Sequence, residues 1–194
     1  DRRWLLNMSA FDTNSTDLHI IVADGFAPKV RNAGRARIRG VEVESQAKLA
    51  SWLQLTGALS YLDAKYQQVD PRAAPVTVNS ALANTPEWTA SAGLNVTPYK
   101  GSLGKLVLQG DWSYRSRTFK DAINSPALNQ PGYSVFNASA TFYADRGFSA
   151  TGGVTNLADK RYIVSGYSEL NFIGAAYAVY ARPREWYLRL SYAF

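Results

Sequence analysis

Apolar and polar side chains alternate with a period of two along most of the chain, and helical periodicity is largely missing. Within 104–116, the even positions hold Leu106, Leu108, Gly110, Trp112 and Tyr114, whereas the odd positions include Lys105, Gln109, Asp111, Ser113 and Arg115. Successive side chains of a β-strand point to opposite faces, so this pattern predicts a strand with one apolar face. The same split in other segments predicts an all-β protein.

Nine segments show the alternation and are predicted to be strands. They lie at about 3–12, 17–24, 40–49, 51–63, 87–96, 104–116, 132–144, 147–157 and 185–194, and 17–24 has the weakest pattern. Most are longer than the five or six residues that are usual in globular proteins. They match the roughly 9–11 residues that a strand needs to cross a bilayer.

The connections between these segments alternate in length. Short links are predicted at 13–16, 50–51, 98–103 and 145–147, and long links at about 25–36, 64–87, 117–131 and 158–183. Gly147 stands where a tight hairpin needs a positive φ. Short turns at one rim and long loops at the other are typical of an antiparallel transmembrane β-barrel. A soluble β-sandwich binding module remains the alternative, although charge is missing from the apolar faces.

Aromatic side chains concentrate near the predicted strand ends, on the apolar faces. They are Tyr61, Trp88, Trp112, Tyr114, Trp186 and Phe194. Amphipathic rings favour the boundary between hydrocarbon and water, so these residues are expected to form the girdles of a barrel. Packing in the core of a sandwich would also place rings on these faces.

Composition narrows the functions that are possible. The 194 residues carry 21 Lys+Arg against 15 Asp+Glu, a net charge of +6, and the 19% charged fraction is below the ~25% usual for soluble domains. Cysteine is absent, which excludes disulfides and thiolate chemistry. No apolar run is long enough for a membrane-spanning helix. The first residue is Asp1 and no secretion leader follows it, so a processed chain or a piece of a longer one is expected.

Four stretches of sequence resemble the TonB-dependent outer-membrane receptors of the ferric-siderophore type. They are Asn32-Ala33-Gly34-Arg35 with Gly40-Val41-Glu42-Val43-Glu44; Asn84-Thr85-Pro86-Glu87-Trp88-Thr89-Ala90; Val154-Thr155-Asn156-Leu157-Ala158-Asp159-Lys160-Arg161-Tyr162; and Arg182-Pro183-Arg184 before a strand that ends in Phe194. The resemblance implies a 22-stranded barrel with a plug domain in its lumen. Residues 1–194 would be its C-terminal segment, about the last nine strands, without the plug or the earlier strands.

An odd count of nine strands has two consequences. The first and last strands would both run toward the periplasm, and further strands would have to lie upstream, because bacterial barrels close with an even number. A small complete barrel of another outer-membrane class remains a further alternative.

The resemblance also implies a function. The protein would be an active transporter in the outer membrane of a Gram-negative bacterium that takes up a ferric siderophore, as transported ligand rather than cofactor. Its implied partners are outer-membrane lipid and lipopolysaccharide, its own N-terminal plug domain, and the inner-membrane TonB complex through residues that this chain does not contain.

Ligand-binding residues are expected on the lumen face and in the outer loops. By alternation Arg115 faces the lumen, and Arg117 and Lys120 follow it. The loop tyrosines Tyr66, Tyr167, Tyr177 and Tyr180 offer flat rings with a hydrogen-bonding tip. A second basic group, Lys29, Arg31, Arg35, Arg37 and Arg39, would either attract an anionic chelate or bind lipopolysaccharide phosphates.

Catalytic, metal and nucleic-acid sites are not expected. His19 is the only histidine and has no metal-ligand spacing around it. Glu42 and Glu44 lie on one strand face about 7 Å apart, but in a barrel they simply meet water, the plug or neighbouring basic groups. The basic residues cluster at the outer rim, which argues against nucleic acid. The protein is therefore predicted not to be an enzyme.

Three further motifs have predicted structural roles. Asn156, Asp159 and Tyr162 mark a strand end, where Asn and Asp stabilise a turn by bonding to the backbone that follows. Gly40 permits a bend, a bulge or a close approach. Finally, Leu190, Tyr192 and Phe194 resemble the terminal signature that the outer-membrane assembly machinery recognises on an exposed edge strand.

Overall fold

The computed structural model describes residues 3–24 and 27–194. Its strands are β1 (Trp4–Thr16), β2 (His19–Asp24), β3 (Ala27–Asn32), β4 (Gly34–Ala50), β5 (Leu53–Val69), β6 (Trp88–Gly101), β7 (Gly104–Arg115), β8 (Thr118–Phe119), β9 (Asn129–Gln130), β10 (Tyr133–Ala144), β11 (Phe148–Thr155), β12 (Ile163–Glu169), β13 (Ala175–Tyr180) and β14 (Glu185–Tyr192). The helices are α1 (Leu170–Ile173) and two 3-10 turns, Pro71–Ala73 and Pro126–Leu128. Over these two ranges, no helix has the length and apolar character to cross a membrane.

The eight long strands form a single antiparallel sheet. Their order is β1-β4-β5-β6-β7-β10-β11-β14, so each of these wall strands pairs with the next one along the chain. The other six strands make three small hairpins, β2–β3, β8–β9 and β12–β13, within the long loops. In the described part of the chain β1 and β14 do not pair, so the sheet is open at both edges. A small complete barrel is therefore not what these residues form.

The sheet contains eight wall strands and not the predicted nine. Segment 17–24 is not a wall strand, because residues 19–24 pair with 27–32 in a loop hairpin. Its alternation is real, but Ile20 and Val22 bury their side chains among the outer loops instead of facing lipid. The short link predicted at 13–16 is also wrong, since these residues continue β1.

Because the sheet has eight strands, the direction predicted for the first strand has to be corrected. Because neighbours are antiparallel and the count is even, β1 and β14 run in opposite directions, and the prediction that both run toward the periplasm is wrong. Short turns at 51–52, 102–103 and 145–147 lie at one rim of the sheet. The four outer loops, 17–33 (described over 17–24 and 27–33), 70–87, 116–132 and 156–184, lie at the other rim. Apart from the link at 13–16, the predicted alternation of short and long links is confirmed.

One face of the sheet is apolar and uncovered. Leu108 lies between Val96 of β6 and Ala140 of β10 on this outward face. Leu108 is 39% exposed, and Leu188 of β14 is 74% exposed. No second sheet packs on this face in the residues that the structure describes. A soluble sandwich would bury these side chains, so that alternative is wrong.

Aromatic pairs mark both ends of the outward face. Tyr61 and Trp88 lie with ring centroids 4.8 Å apart near the outer loops. At the opposite rim, beside the turns, Phe148 and Tyr192 lie 4.4 Å apart. Two aromatic levels that bracket aliphatic side chains are the girdle arrangement that the sequence predicts.

Two glycines occupy positions that no larger residue fits. A Cβ atom on Gly40 would lie 2.5 Å from the Tyr61 carbonyl oxygen and 2.8 Å from the Phe11 ring. The close approach predicted for Gly40 is therefore confirmed, and the bulges between β4 and β5 lie elsewhere. Gly147 has φ +82°, as predicted for its tight hairpin.

The outer loops share a small hydrophobic core of their own. Its buried members are Ile20, Val22, Ala33, Ala36, Tyr66, Ala73, Val76, Leu82 and Ala122. They come from the first three outer loops and from the outer ends of β4 and β5. This packing holds the loops in a fixed arrangement over the outer rim of the sheet.

Candidate functional site

The face opposite the apolar one is polar and lines the lumen side of the wall. Cross-strand neighbours point the same way, so register assigns each face. Asp111 of β7 lies opposite Asn137 of β10, and Ser113 lies opposite Val135. Arg115 continues this row and lies on the lumen face, as the alternation predicts.

A cavity of about 840 Å³ lies at the outer end of the lumen face. Its walls come from the ends of β7, β10, β11 and β14 and from the second, third and fourth outer loops. The lining residues are Asn84, Pro86, Ser113, Arg115, Thr118, Lys120, Tyr133, Val135, Asn137, Thr155, Asn156, Tyr162, Val164, Ala181, Arg182, Pro183 and Glu185. A space of this size is in the range of small-molecule sites.

The cavity has an excess of positive charge. Arg115, Lys120 and Arg182 line it, and among the described lining residues the acid is Glu185. Glu185 pairs with Arg182 at 3.7 Å. Burial lowers the pKa of Lys120, and the nearby charge of Arg115 lowers it further. Two basic groups that repel each other in a partly buried space favour an anion between them.

Two tyrosine rings form a flat part of the cavity wall. Tyr133 lies directly opposite Arg115 across the β10–β7 pair. Its ring stacks on that of Tyr162, with centroids 4.2 Å apart and planes at 19°. Tyr162 comes from the fourth outer loop, so the stack ties that loop to the wall. The cavity therefore combines cationic groups with an aromatic surface.

Asn156 holds the fourth outer loop at the edge of the cavity. Its φ is +51°, and its side chain is buried. The side-chain oxygen accepts a hydrogen bond from the backbone N–H of Lys160 at 2.8 Å, and the amide donates to the carbonyls of Lys160 and Arg182 at 3.0 and 3.2 Å. The predicted bond to the following backbone is confirmed.

Asp159 also holds the fourth outer loop, but its hydrogen-bond partner is not the one predicted. Its carboxylate accepts a hydrogen bond at 2.8 Å from the backbone N–H of Arg184, on the returning side of the loop. The turn role holds, but the bond crosses the loop instead of following the chain. Together with Asn156 it joins the two ends of the fourth outer loop.

Arg117 and Tyr66 do not line this cavity. The Arg117 guanidinium lies over the Phe119 ring at 5.6 Å, beside a separate recess near the outer end of β5. Tyr66 is 6% exposed and belongs to the core of the outer loops. Tyr66 lies in β5 and not in a loop, so that part of the prediction is wrong, and alternation alone does not show that neighbouring loops would enclose its ring.

The other predicted tyrosines lie on the hairpin of the fourth outer loop. Tyr167 lies opposite Tyr177 in the β12–β13 pair. Burial raises the pKa of Tyr167, whose ring lines a smaller cavity that also contains His19. Tyr177 is 60% exposed, and the Arg161 guanidinium stacks on Tyr180 at 4.0 Å. None of these three rings lines the larger cavity.

Sequence reasoning missed part of the cavity. Tyr133 and Arg182 were not predicted as binding residues, and Tyr162 was predicted only as part of a turn. Arg115 ends β7 and Tyr133 begins β10, and the pairing of these two strands brings the two residues together. Arg182 depends on how the fourth outer loop returns, which the local sequence does not encode.

The described residues contain no group of three or more His, Cys, Asp or Glu that could hold a metal ion.

The residues of the predicted assembly signature lie at an edge of the sheet. Leu190 and Tyr192 point outward from β14 and are 74% and 53% exposed. Tyr192 also contacts Phe194, with ring centroids 6.2 Å apart.

The family model and the curated relatives that match this chain all describe outer-membrane receptors. Residues 1–157 match the family described as TonB dependent receptor-like, beta-barrel. The Ferrioxamine B receptor of Salmonella typhimurium is 27% identical over 139 residues, covering 70% of this chain and 19% of the relative. The Ferrichrome outer membrane transporter/phage receptor of Escherichia coli K12 is 28% identical over 139 residues, covering 70% and 18%. The chain thus spans about a fifth of these relatives' length.

Solved structures show the same fold. The ferric yersiniabactin uptake receptor of Yersinia pestis has a TM-score of 0.80 at 19% identity, covering 97% of this chain and 27% of that one. The unliganded ferric citrate transporter has a TM-score of 0.74 at 16% identity, covering 99% and 29%. The family and these relatives are receptors and transporters, which agrees with the prediction that the protein is not an enzyme. The chain belongs to the TonB-dependent receptor β-barrel family, whose members lie in the outer membrane of Gram-negative bacteria.

Proposed function

We propose that this chain supplies barrel wall and four outer loops to an outer-membrane receptor that takes up a ferric siderophore with energy from the TonB complex. The family match supports the receptor class, and the names of the ferrioxamine B and ferrichrome relatives support the ligand class. Residues 1–194 form the C-terminal segment of the barrel in this proposal. The plug domain, the remaining wall and the TonB contact come from other parts of the protein.

The cavity at the outer end of the lumen face is the proposed ligand contact of this segment. The observation that carries the proposal is the position of Arg115 and Lys120 beside the Tyr133–Tyr162 stack. Cationic side chains would attract an anionic ferric chelate, and flat rings would contact its organic part. The exposed rings of Tyr177 and Tyr180 would guide the ligand at the entrance.

We propose that Tyr66, Tyr167 and Arg117 stabilise the outer loops and do not contact the ligand. The Tyr66 ring is enclosed in the loop core, the Tyr167 ring lines the smaller cavity, and Arg117 lies over Phe119. They would keep the loops in place around the ligand instead of contacting it.

The rest of the lumen face would contact the plug domain. Glu42 and Glu44 lie on this face in the middle of β4, where basic groups of a plug would find carboxylate partners. The opposite face would contact outer-membrane lipid and lipopolysaccharide. Leu190, Tyr192 and Phe194 would present the edge strand to the assembly machinery.

Binding of ferric siderophores to the purified full-length receptor tests the proposed ligand site. Tryptophan fluorescence would be titrated with an anionic and a neutral ferric siderophore. We expect R115Q to weaken binding of the anionic chelate by about tenfold or more, because it removes a charged hydrogen-bond donor. Lys105, on the same face of the same strand about 33 Å away, provides the matched control K105Q. Equal affinities for wild type and R115Q would contradict the proposed contact.

A further inference from the structure

A second cavity, of about 280 Å³, lies among the outer loops and is here called the loop cavity. All four outer loops contribute to its wall. The contributions are residues 19–22 of β2, Ala83 of the second loop, residues 120–123 of the third loop and residues 166–168 of β12. Among the described lining residues, Lys120 is the one that it shares with the larger cavity. Its volume is at the lower end of the range of small-molecule sites.

Most of the wall of the loop cavity is apolar. Ile20 and Val22 of β2 and Ala122 of the third loop are buried members of the core of the outer loops. Ile123 packs against this core, and Ala83 adds a further methyl group to the wall. Side chains of this kind favour the hydrocarbon part of a ligand, because its burial removes apolar surface from water.

Two polar atoms of the wall are buried and have no hydrogen-bond partner among the described residues. They are Oδ2 of Asp121 and the hydroxyl oxygen of Tyr167. The other carboxylate oxygen of Asp121 accepts a hydrogen bond at 2.9 Å from the backbone N–H of Ser125, which orients the carboxylate. A buried polar group without a partner is costly, so a molecule that bonded to these atoms would gain affinity from them.

The third and fourth loops, which carry these two atoms, are fixed against each other. The side-chain oxygen of Gln130 in the third loop accepts a hydrogen bond at 2.8 Å from the backbone N–H of Ile163, the first residue of β12. Leu128 is fully buried, and a Cβ atom on Gly166 would lie only 2.4 Å from its side chain. Because the two loops pack this closely, the loop cavity is built into the fold and its polar atoms are held in position.

The charged groups of the wall disfavour a charged ligand. The carboxylate of Asp121 repels an anion, and the ammonium group of Lys120 repels a cation. His19 and Tyr167 are the other ionisable side chains of the described wall. A hydroxyl group suits this wall without carrying a charge, because it donates to a carboxylate oxygen and accepts from a tyrosine hydroxyl.

We propose that the loop cavity binds a small neutral compound that has an apolar body and a hydroxyl group. The hydroxyl group bonds to Asp121 and Tyr167, and the apolar body packs against the side chains of β2 and the third loop. The loop cavity has a third of the volume of the larger cavity, which is the proposed siderophore contact. The proposal therefore concerns a separate site and does not rest on the proposed function.

Equilibrium dialysis of the full-length receptor tests this site with phenol and toluene as probes. The two compounds have nearly the same shape, and toluene has a methyl group in place of the hydroxyl. The same detergent on both sides of the membrane cancels partition of the probes into micelles. We expect phenol to bind the wild type about tenfold or more tightly than toluene, because a hydrogen bond to a buried charged acceptor is strong.

The double variant D121N/Y167F should reduce this preference to below about threefold. Both replacements keep the size of the side chain, and asparagine still has an oxygen that can accept from the N–H of Ser125. Toluene should bind the variant as it binds the wild type, because the apolar wall is unchanged. The matched control is D145N/Y177F, in which Asp145 lies in a turn at the opposite rim and Tyr177 lies opposite Tyr167 without lining the cavity. It should keep the preference for phenol.

Three results would overturn the proposal. Equal affinities of the wild type for phenol and toluene would show that the polar atoms of the wall do not select a hydroxyl group. An unchanged preference in D121N/Y167F, or an equal loss in the control, would show that phenol binds elsewhere. Displacement of phenol by an anionic ferric siderophore would show that the loop cavity is part of the siderophore site. Siderophore affinity of the wild type, measured without phenol, reports on the proposed function independently.

Discussion

Tyr133 of β10 lies directly opposite Arg115 of β7, and both residues line the cavity at the outer end of the lumen face. The register of two wall strands therefore positions a cation beside an aromatic stack. The fourth outer loop completes the arrangement by placing Tyr162 on Tyr133. A rigid sheet thus positions one half of the site, and a loop held by Asn156 positions the other half.

Lys120 should make anion binding sensitive to alkaline pH. Its pKa is lowered by burial and by Arg115, so it loses its proton at a lower pH than an ordinary lysine. The protonated form attracts the anion, so affinity should be highest below this lowered pKa and should fall as pH rises through it. Titrations of an anionic ferric siderophore across the alkaline range would measure the decrease.

The variant K120R provides the control for this pH effect. Arginine stays protonated at every pH used, so the alkaline decrease should disappear in K120R while binding at neutral pH is retained. The same decrease in K120R and wild type would show that another group causes it.

The two faces of β7 should respond differently to charge. Leu108 faces outward near the middle of the strand, and Gln109 faces the lumen. L108R should lower the free energy of unfolding by about 2–4 kcal/mol, because it places a charge at the depth of the hydrocarbon core. Q109R should cost far less. Denaturant unfolding of the full-length receptor in lipid would compare them, and equal costs would contradict the assigned faces.

Gly40 should tolerate no side chain, whereas Gly110 should. A Cβ on Gly40 would meet the Tyr61 carbonyl and the Phe11 ring, whereas a Cβ on Gly110 would have nothing within 4 Å. G40A should destabilise the barrel by about 1–3 kcal/mol through overpacking. G110A should be neutral or slightly stabilising. The temperature at which each variant loses its folded gel mobility would measure its stability. Similar temperatures for G40A and G110A would argue against the close approach at Gly40.

Asn156 should control the order of the fourth outer loop. N156A removes three partly buried side-chain hydrogen bonds and also strains a residue with positive φ, whereas N156G removes the bonds without the strain. Both variants should expose 157–184 to limited proteolysis, with N156A the more sensitive. Full resistance of N156G would show that the side-chain bonds do not hold the loop.

The wall of this fold could be predicted from the sequence because its two faces meet different surroundings. Lipid on one side and a polar lumen on the other impose alternation on every wall strand, and the long loops follow from the gaps between strands. The same rule failed at 17–24, because a loop hairpin that buries Ile20 and Val22 alternates in the same way. Alternation shows that one face is buried, but it does not show what covers it.

The candidate site was harder to predict because it depends on register and loop path. Parity alone placed Arg115 on the lumen face. The neighbour of Arg115 is fixed by the pairing of β7 with β10, and the sequence of either strand alone does not contain this information. Arg182 reaches the cavity because the fourth outer loop returns beside Asn156. The burial of Tyr66 likewise results from the packing of separate outer loops against the outer end of β5.

The central claim, that the apolar face of this sheet meets lipid, is tested most directly by tryptophan quenching with brominated lipid. The full-length receptor would be reconstituted with single tryptophans at Trp88, Trp112 or Trp186, and with Q109W in a tryptophan-free background as the lumen-facing control. We predict strong quenching at the three native positions and weak quenching for Q109W. Equal quenching of all four, or none at the native positions, would contradict the assignment of the outward face to the membrane.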